Sequence, residues 1–246
     1  MLVLRSIVFN VAFYVNLIIW LVIALPTLLM PYQGILRVAQ AWGRSNMVLM
    51  RVLAGTRVEF RHLDRLPSGG LLLAAKHQSF WETFTLLTLV DEPAFILKRE
   101  LTWIPVFGWL LVRGGMIAVD RTAGLSALSR MTKRAIAAVR GGRQIIIFPE
   151  GTRRPPGAEP AYKFGVAHLY RQLGVPCVPI ALNSGLFWPR RQFLRRPGTI
   201  IVEILEPILP GLPRDAFFAQ LQDAIETASN RLLLEARAEQ ARRSAA

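Results

Sequence analysis

Leu71-Leu72-Leu73-Ala74-Ala75-Lys76-His77-Gln78-Ser79-Phe80-Trp81-Glu82-Thr83 is the stretch that decides the fold class. Five consecutive apolar residues stop at a polar stretch, which opens into a segment of helical character. A run that is apolar at both odd and even positions fits a strand covered on both faces, as in α/β sheets. Ile145-Ile146-Ile147-Phe148-Pro149-Glu150-Gly151-Thr152-Arg153-Arg154 is built the same way, a buried strand running into a charged loop. The ends of such strands are where α/β proteins place their chemistry.

Outward from these two runs, short β-branched or apolar stretches alternate with helical ones and with Gly/Pro punctuation. Strands are predicted at residues 57–61, 70–75, 94–98, 115–119, 144–148, 177–182 and 199–205. Helices are predicted at 80–90, 103–112, 125–140, 161–173 and 214–239. The rhythm is α/β, without an internal repeat.

The N-terminal part is different. No charged residue occurs from Ser6 to Leu36, longer than the roughly 20 residues a helix needs to cross the hydrocarbon of a bilayer. Asn10, Asn16 and Pro26 interrupt the segment, so two arrangements fit it: a full span, or a helix that enters one leaflet and turns at Pro26 and Pro31. A cleaved signal peptide would need a shorter apolar core and a small-x-small site, and neither fits. Arg37, Arg44 and Arg51 recur every seven residues, which lines them along one helix face. That stripe suits lipid phosphates or, equally, plain solvent. With Arg5 before the apolar segment and these arginines after it, the positive-inside rule puts the body of the chain in the cytoplasm. The expected division is residues 1–55 as membrane-anchoring helices and 56–246 as the α/β domain.

The chain has 246 residues, enough for one substantial domain. Its 52% hydrophobic and 19% charged residues exclude disorder and leave apolar surface for lipid. Thirty Lys and Arg against sixteen Asp and Glu give a net charge of +14, a field that attracts nucleic acid, anionic headgroups or phosphorylated substrates. Cys177 is the single cysteine, so neither an intrachain disulfide nor a Cys-rich zinc site is implied, and His62, His77 and His168 are a thin supply of metal ligands.

The first candidate site is the polar end of the first run. His77 and Glu82 are five apart, about 140° around a regular helix, so they meet only if His77 precedes the helix and Glu82 sits in its first turn. There the carboxylate can accept the imidazole Nδ1–H and leave Nε2 as a base for a hydroxyl. Ser79-x-x-Glu82 is also a capping box, in which Glu82 serves only a backbone N–H. In the second run, Glu150 can accept hydrogen bonds from substrate hydroxyls and Arg153 can chelate a phosphate, or the loop is a simple exit turn with solvated arginines. Val119-Asp120-Arg121 and a helix beginning near Lys163 bring further positive charge to the same edge. A serine hydrolase finds no support, because the chain lacks a Gly-x-Ser-x-Gly elbow.

In content and order these residues resemble the glycerolipid acyltransferase family, whose best-known members are 1-acylglycerol-3-phosphate acyltransferases. The family's His-x4-Asp block is similar to His77 through Glu82. Its Gly-rich strand ending in Asp-Arg is similar to Gly114-Gly115-Met116-Ile117-Ala118-Val119-Asp120-Arg121. Phe-Pro-Glu-Gly-Thr-Arg is present whole at residues 148–153, and a Val-Pro-x-x-Pro strand at 175–179. The departure is Glu82 where the usual pattern has Asp, one methylene longer.

The resemblance implies an α/β fold with a mixed β-sheet of about seven strands flanked by helices, glycerol-3-phosphate acyltransferase-like, behind an N-terminal membrane-inserting helical segment. It implies His77 as general base and Glu82 as its orienting carboxylate. Arg121, Glu150, Gly151, Thr152, Arg153 and Lys163 then hold the glycerol-phosphate part, and Pro179 shapes the acyl-donor side. The implied reaction moves a fatty acyl group from an acyl thioester to the sn-2 hydroxyl of a lysophosphatidic acid, giving phosphatidic acid. The thioester is of acyl-carrier protein or coenzyme A, and no metal or other cofactor is expected. The implied location is a membrane, inner or plasma, with membrane lipid as a partner and no nucleic acid. Two other readings stay open: the same chemistry on another lysophospholipid or a lyso-aminolipid, and a non-catalytic membrane-anchored binder of anionic lipid or nucleic acid, for which His77 would be dispensable.

Overall fold

Strand-length apolar runs all enter one sheet in the computed structural model, which describes residues 1–245. Its strands are β1 (Thr56–Arg61), β2 (Leu71–Ala75), β3 (Pro93–Lys98), β4 (Ile117–Val119), β5 (Gln144–Ile147), β6 (Cys177–Leu182) and β7 (Gly198–Ile204). They lie in the order β1-β7-β6-β2-β5-β3-β4. β2 through β6 run parallel, β7 is antiparallel to β6, and β1 is parallel to β7, so the sheet is mixed. β2 and β5, the two runs quoted at the outset, are hydrogen-bonded neighbours, which puts both polar exits side by side.

Alternation along β2 explains its unbroken apolarity. Leu71, Leu73 and Ala75 face one core cluster with Ile146, Val178 and Phe84. Leu72 and Ala74 face the other, with Ile145, Val166, Leu169, Phe217 and Ile225. The second face is covered by α5 (Gly124–Arg140), α6 (Gly165–Leu173) and α7 (Arg214–Ala245).

The first face is covered by the N-terminal helices. α1 (Leu2–Ala24) ends in a 3-10 turn, Leu25–Leu29, and α2 (Tyr32–Leu49) returns antiparallel along it. The chain reverses at Pro26 and Pro31, the positions at which the sequence allowed a turn. Phe9 and Phe13 of α1 and Trp42 of α2 belong to the same cluster as Leu73 of β2, so the division expected near residue 55 falls within one continuous core. Gly43 permits the close approach of α2, since a Cβ there would stand 2.6 Å from Phe84 O.

Ser6, Asn10 and Asn16 of α1 face the protein. Ser6 Oγ accepts Arg195 N–H at 2.9 Å, Asn10 Nδ2 donates to Phe193 O at 3.1 Å, and Asn16 Nδ2 donates to Ser45 Oγ at 2.9 Å. The opposite face exposes Val3, Leu4, Ile7, Val8, Val11, Val15, Ile18, Ile19, Val22 and Ile23. The stretch Leu2–Leu29 is long and apolar enough to cross a membrane by length and composition. Its packing along the body leaves one apolar face available to lipid, and Arg37, Arg44 and Arg51 are exposed.

Three predicted helices are shorter than expected, each for a local reason. In the 80–90 segment only α3 (Glu82–Thr85) is α-helical and Leu86–Thr88 is 3-10. There the hydroxyls of Thr83 and Thr88 donate to Phe80 O at 2.6 Å and Thr85 O at 2.8 Å, competing with the helical ladder. α4 (Phe107–Arg113) starts late because Pro105 lacks an N–H and Val106 sits at φ 63. The start of α6 is delayed to Gly165 because Lys163 N–H is held by Pro149 O at 2.8 Å.

Candidate active site

His77 lies just beyond β2, where Lys76 N–H still bonds Ile180 O at 2.9 Å, and before α3. Glu82 occupies the first turn of α3, the arrangement that lets residues five apart meet. Glu82 Oε2 is 3.4 Å from His77 Nδ1, slightly longer than an aligned hydrogen bond, and Nδ1 is closed off from solvent. The imidazole is stacked on Phe148, with centroids 3.8 Å apart and planes 12° apart, and keeps 12% of its side chain exposed.

Glu82 is fully buried, and its carboxylate oxygens are met by donors. Ser79 N–H bonds both carboxylate oxygens, at 2.9 and 3.0 Å, Gln78 N–H bonds Oε1 at 3.2 Å, and the Ser184 hydroxyl donates to Oε1. The carboxylate therefore reaches back to Ser79 as a capping box does while also facing the imidazole. Orienting His77 and capping the turn are compatible here, because one carboxylate has two oxygens and about four acceptor sites.

The second strand exit closes over the first. Arg154 N–H donates to His77 O at 2.8 Å, joining the loop after β5 to the histidine backbone. Glu150 is placed differently from the sequence expectation of a group facing substrate hydroxyls. Its side chain is buried, and Oε1 accepts Lys76 Nζ at 3.1 Å. Lys76 also donates to Glu226 of α7 at 2.6 Å, and Tyr162 OH donates to the same Glu226 oxygen at 2.9 Å. Burial raises the Glu150 carboxyl above its usual range, and the attraction of Lys76 works against that rise.

Cations gather around the loop. Arg121, at the end of β4, donates through Nη1 to Gly151 O. Gly151 adopts φ +66, and a Cβ there would stand 3.8 Å from Arg121 Nη1 and 3.9 Å from Lys163 Cγ, so these two side chains flank it. Thr152 and Lys163 are exposed. Arg153 is half-buried, with Arg190 Nη1 bonded to its carbonyl at 3.0 Å. Burial and then the neighbouring Arg190 push its guanidinium pKa down, against the attraction of Glu82. Pro179 is inside the sheet, buried and in register with Ala74 of β2. It shapes the strand from within and presents no free face.

The sequence reading missed Lys76, Glu226, Ser184 and Arg190. Ser184, two residues past the end of β6, was within reach of the rule that strand ends carry chemistry. Lys76 adjoins His77, but nothing local marks it as buried. The partnership with Glu226 spans 150 residues and depends on where α7 crosses the sheet.

Comparison with known proteins places the chain in a family. Residues 57–183 match the Acyltransferase family model. A 1-acyl-sn-glycerol-3-phosphate acyltransferase of Pseudomonas aeruginosa is 39% identical over 177 residues, covering 72% of this chain and 69% of that protein. One from Cocos nucifera is 29% identical over 196 residues, covering 79% of this chain and 63% of that protein. The crystal structure of the 1-acyl-sn-glycerophosphate acyltransferase PlsC from Thermotoga maritima superposes with a TM-score of 0.79, covering 94% of this chain and 98% of that one at 21% identity, which bears on the fold. The family match over residues 57–183 and a relative 39% identical across most of both proteins establish that the chain belongs to the Acyltransferase family.

Proposed function

We propose that this protein transfers a fatty acyl group from an acyl thioester to the sn-2 hydroxyl of 1-acyl-sn-glycerol 3-phosphate, forming phosphatidic acid. The observation that carries the reading is the His77–Glu82 contact of 3.4 Å at a sheet edge where Arg121, Arg153 and Lys163 also gather. The relatives that bear this activity in their names support the choice of acceptor.

In the proposed mechanism, Glu82 holds the Nδ1 side of the ring and Phe148 holds its plane, so that Nε2 is free for the acceptor. Nε2 removes the proton of the 2-hydroxyl as that oxygen attacks the thioester carbonyl. The tetrahedral intermediate collapses with cleavage of the C–S bond, and the departing thiolate recovers a proton from the imidazolium. A thioester is already activated, so orientation and proton removal supply the catalysis, and no metal or cofactor takes part in the scheme. Arg153 and Arg121 are proposed to hold the phosphate of the acceptor. Glu150 is proposed to act one step removed, by fixing the loop that presents them. The donor is proposed to be a thioester of acyl-carrier protein or coenzyme A, drawn by the net charge of +14.

The outer face of α1 is proposed to lie in one leaflet, with the catalytic body on the cytoplasmic side, in keeping with the positive-inside bias of Arg37, Arg44 and Arg51. An active site at the lipid surface suits a reaction whose acceptor and product reside in the bilayer.

The test is purified protein in mixed micelles, offered both thioesters with a panel of lysolipids including one without phosphate. His77→Ala should lower transfer by about 10² or more with the fold retained. Arg153→Ala should mainly raise the apparent KM for the phosphorylated acceptor. Full activity of a folded His77→Ala protein would overturn the mechanism, and equal use of the phosphate-free lysolipid would overturn the choice of acceptor.

A further inference from the structure

Between β3 and β4, large apolar side chains stand in solvent: Trp103 at 65%, Trp109 at 56% and Val112 at 63% exposure, with Leu101 and Ile104 beside them. The segment is a 3-10 turn (Arg99–Trp103) followed by α4. Its inner side is pinned to the tip of the α1–α2 hairpin. Leu110 is buried with Ala24 and Ile35, and Arg113 donates to Leu28 O at 3.1 Å and to Met30 O at 2.9 Å. The outer side of the segment thus adjoins the exposed Leu25, Leu29 and Met30 at that tip, beyond which runs the apolar outer face of α1.

Scattered apolar residues are ordinary on a protein surface, but a contiguous patch of this kind marks an interaction site. We propose that residues 99–113 form a second membrane-docking element, which enters the headgroup region beside α1 and with it sets the tilt of the catalytic edge. Continuity with the apolar face of α1 makes the bilayer the occupant. Tryptophan suits that depth, because its ring is amphipathic and concentrates at membrane interfaces. Lys98, Arg99 and Arg113 flank the patch and match headgroup phosphates. Arg99 is held 2.7 Å from Asp120 and lies 5.5 Å from the Trp103 ring centroid, which ties the patch to the residue preceding Arg121. β3 is parallel to β5, so the segment leaves the sheet at the edge that bears Phe148 and His77. Two anchoring points constrain rotation about the α1 axis, which one helix alone does not.

The experiment uses the full chain with an environment-sensitive fluorophore on a cysteine placed at residue 103 or 109, at residue 18 on the outer face of α1, or at Thr227 on the exposed side of α7. Cys177 is buried and stays unlabelled. The protein is bound to phosphatidylethanolamine/phosphatidylglycerol vesicles with brominated acyl chains. Quenching is expected at residues 18, 103 and 109 and not at 227. A protein that floats with vesicles and is quenched at 18, while 103 and 109 behave like 227, overturns the proposal, as does quenching at no position. In a second measurement, Trp103→Asp with Trp109→Asp should weaken vesicle partitioning about 10²-fold and leave turnover of short-chain, monomeric substrates unchanged. Unchanged partitioning also overturns it. Neither binding measurement depends on acyl transfer, so failure here leaves the proposed reaction standing.

Discussion

Replacing Lys76 by Met tests whether the catalytic edge is held together by a buried charge cluster. Met fills nearly the same volume and removes one cation from between two carboxylates. Lys76 Nζ is 3.1 Å from Glu150 and 2.6 Å from Glu226, with side-chain exposures of 3%, 0% and 16%. At an effective dielectric near 20, attractions at these distances are about 5 and about 6 kcal/mol, a gain largely offset by the desolvation of three ions. Removing the cation leaves that desolvation uncompensated, and breaking such a pair typically costs about 3–5 kcal/mol. The two carboxylate oxygens that share Nζ are at most about 6 Å apart, which adds a repulsion of roughly 3 kcal/mol when both are ionised.

This loss has a pH signature. Burial already raises the Glu150 carboxyl, and Lys76 is the main influence against that rise. Without Lys76 the folded-state value climbs further. An acid with a folded pKa above its unfolded one gives stability that is full below the unfolded value and is lost as pH rises through the folded value. The variant should therefore be destabilised by about 3–5 kcal/mol at pH 8 and by less at pH 5, where a larger share of Glu150 is protonated. Urea denaturation in a mild detergent, followed by circular dichroism at both pH values, reads the difference. A loss below about 1 kcal/mol, or one that is greater at pH 5 than at pH 8, would refute the reasoning.

Two further substitutions separate the roles of the groups around the imidazole. Glu82→Gln keeps the size of the side chain but replaces one acceptor oxygen with a donor, and kcat should fall by about 10²–10³ in a protein that remains folded by circular dichroism; an unchanged kcat would leave Glu82 with the capping role alone. Phe148→Leu removes the stacked ring and should lower kcat about tenfold with little change in acceptor KM, because the base loses its alignment and the phosphate contacts do not; a rise in KM at constant kcat would assign Phe148 to binding instead.

Most of the fold was legible because it rests on local signals. The unbroken apolar character of Leu71–Ala75 and of Ile145–Ile147 requires burial on both faces, and the two clusters that receive alternate residues of β2 meet that requirement. Helix lengths were less legible, since Lys163 N–H bonding Pro149 O and the threonine hydroxyls near α3 act through partners that periodicity does not register. Asn10 and Asn16 misled in an instructive way. They read as interruptions of a lipid-embedded helix, yet both lie on its protein side, where Phe193 and Ser45 satisfy them.

The site was legible as residues but not as a circuit. His77, Glu82 and Arg153 could be named from their blocks, whereas the choice between a cap and an orienting carboxylate could not be made, because the geometry lets Glu82 be both. Its carboxylate is already held by Ser79, Gln78 and Ser184, so the cap and the contact with the imidazole share one buried group. Ser184 follows β6, the strand that contains Pro179. The Val-Pro-x-x-Pro strand can therefore influence the reaction from inside the sheet, by fixing where Ser184 meets Glu82, without touching a substrate. The same logic joins β5 through Phe148 and α7 through Glu226 and Lys76. Three neighbouring strand ends thus meet around His77 and Glu82, and the distant α7 is tied to the adjoining Lys76.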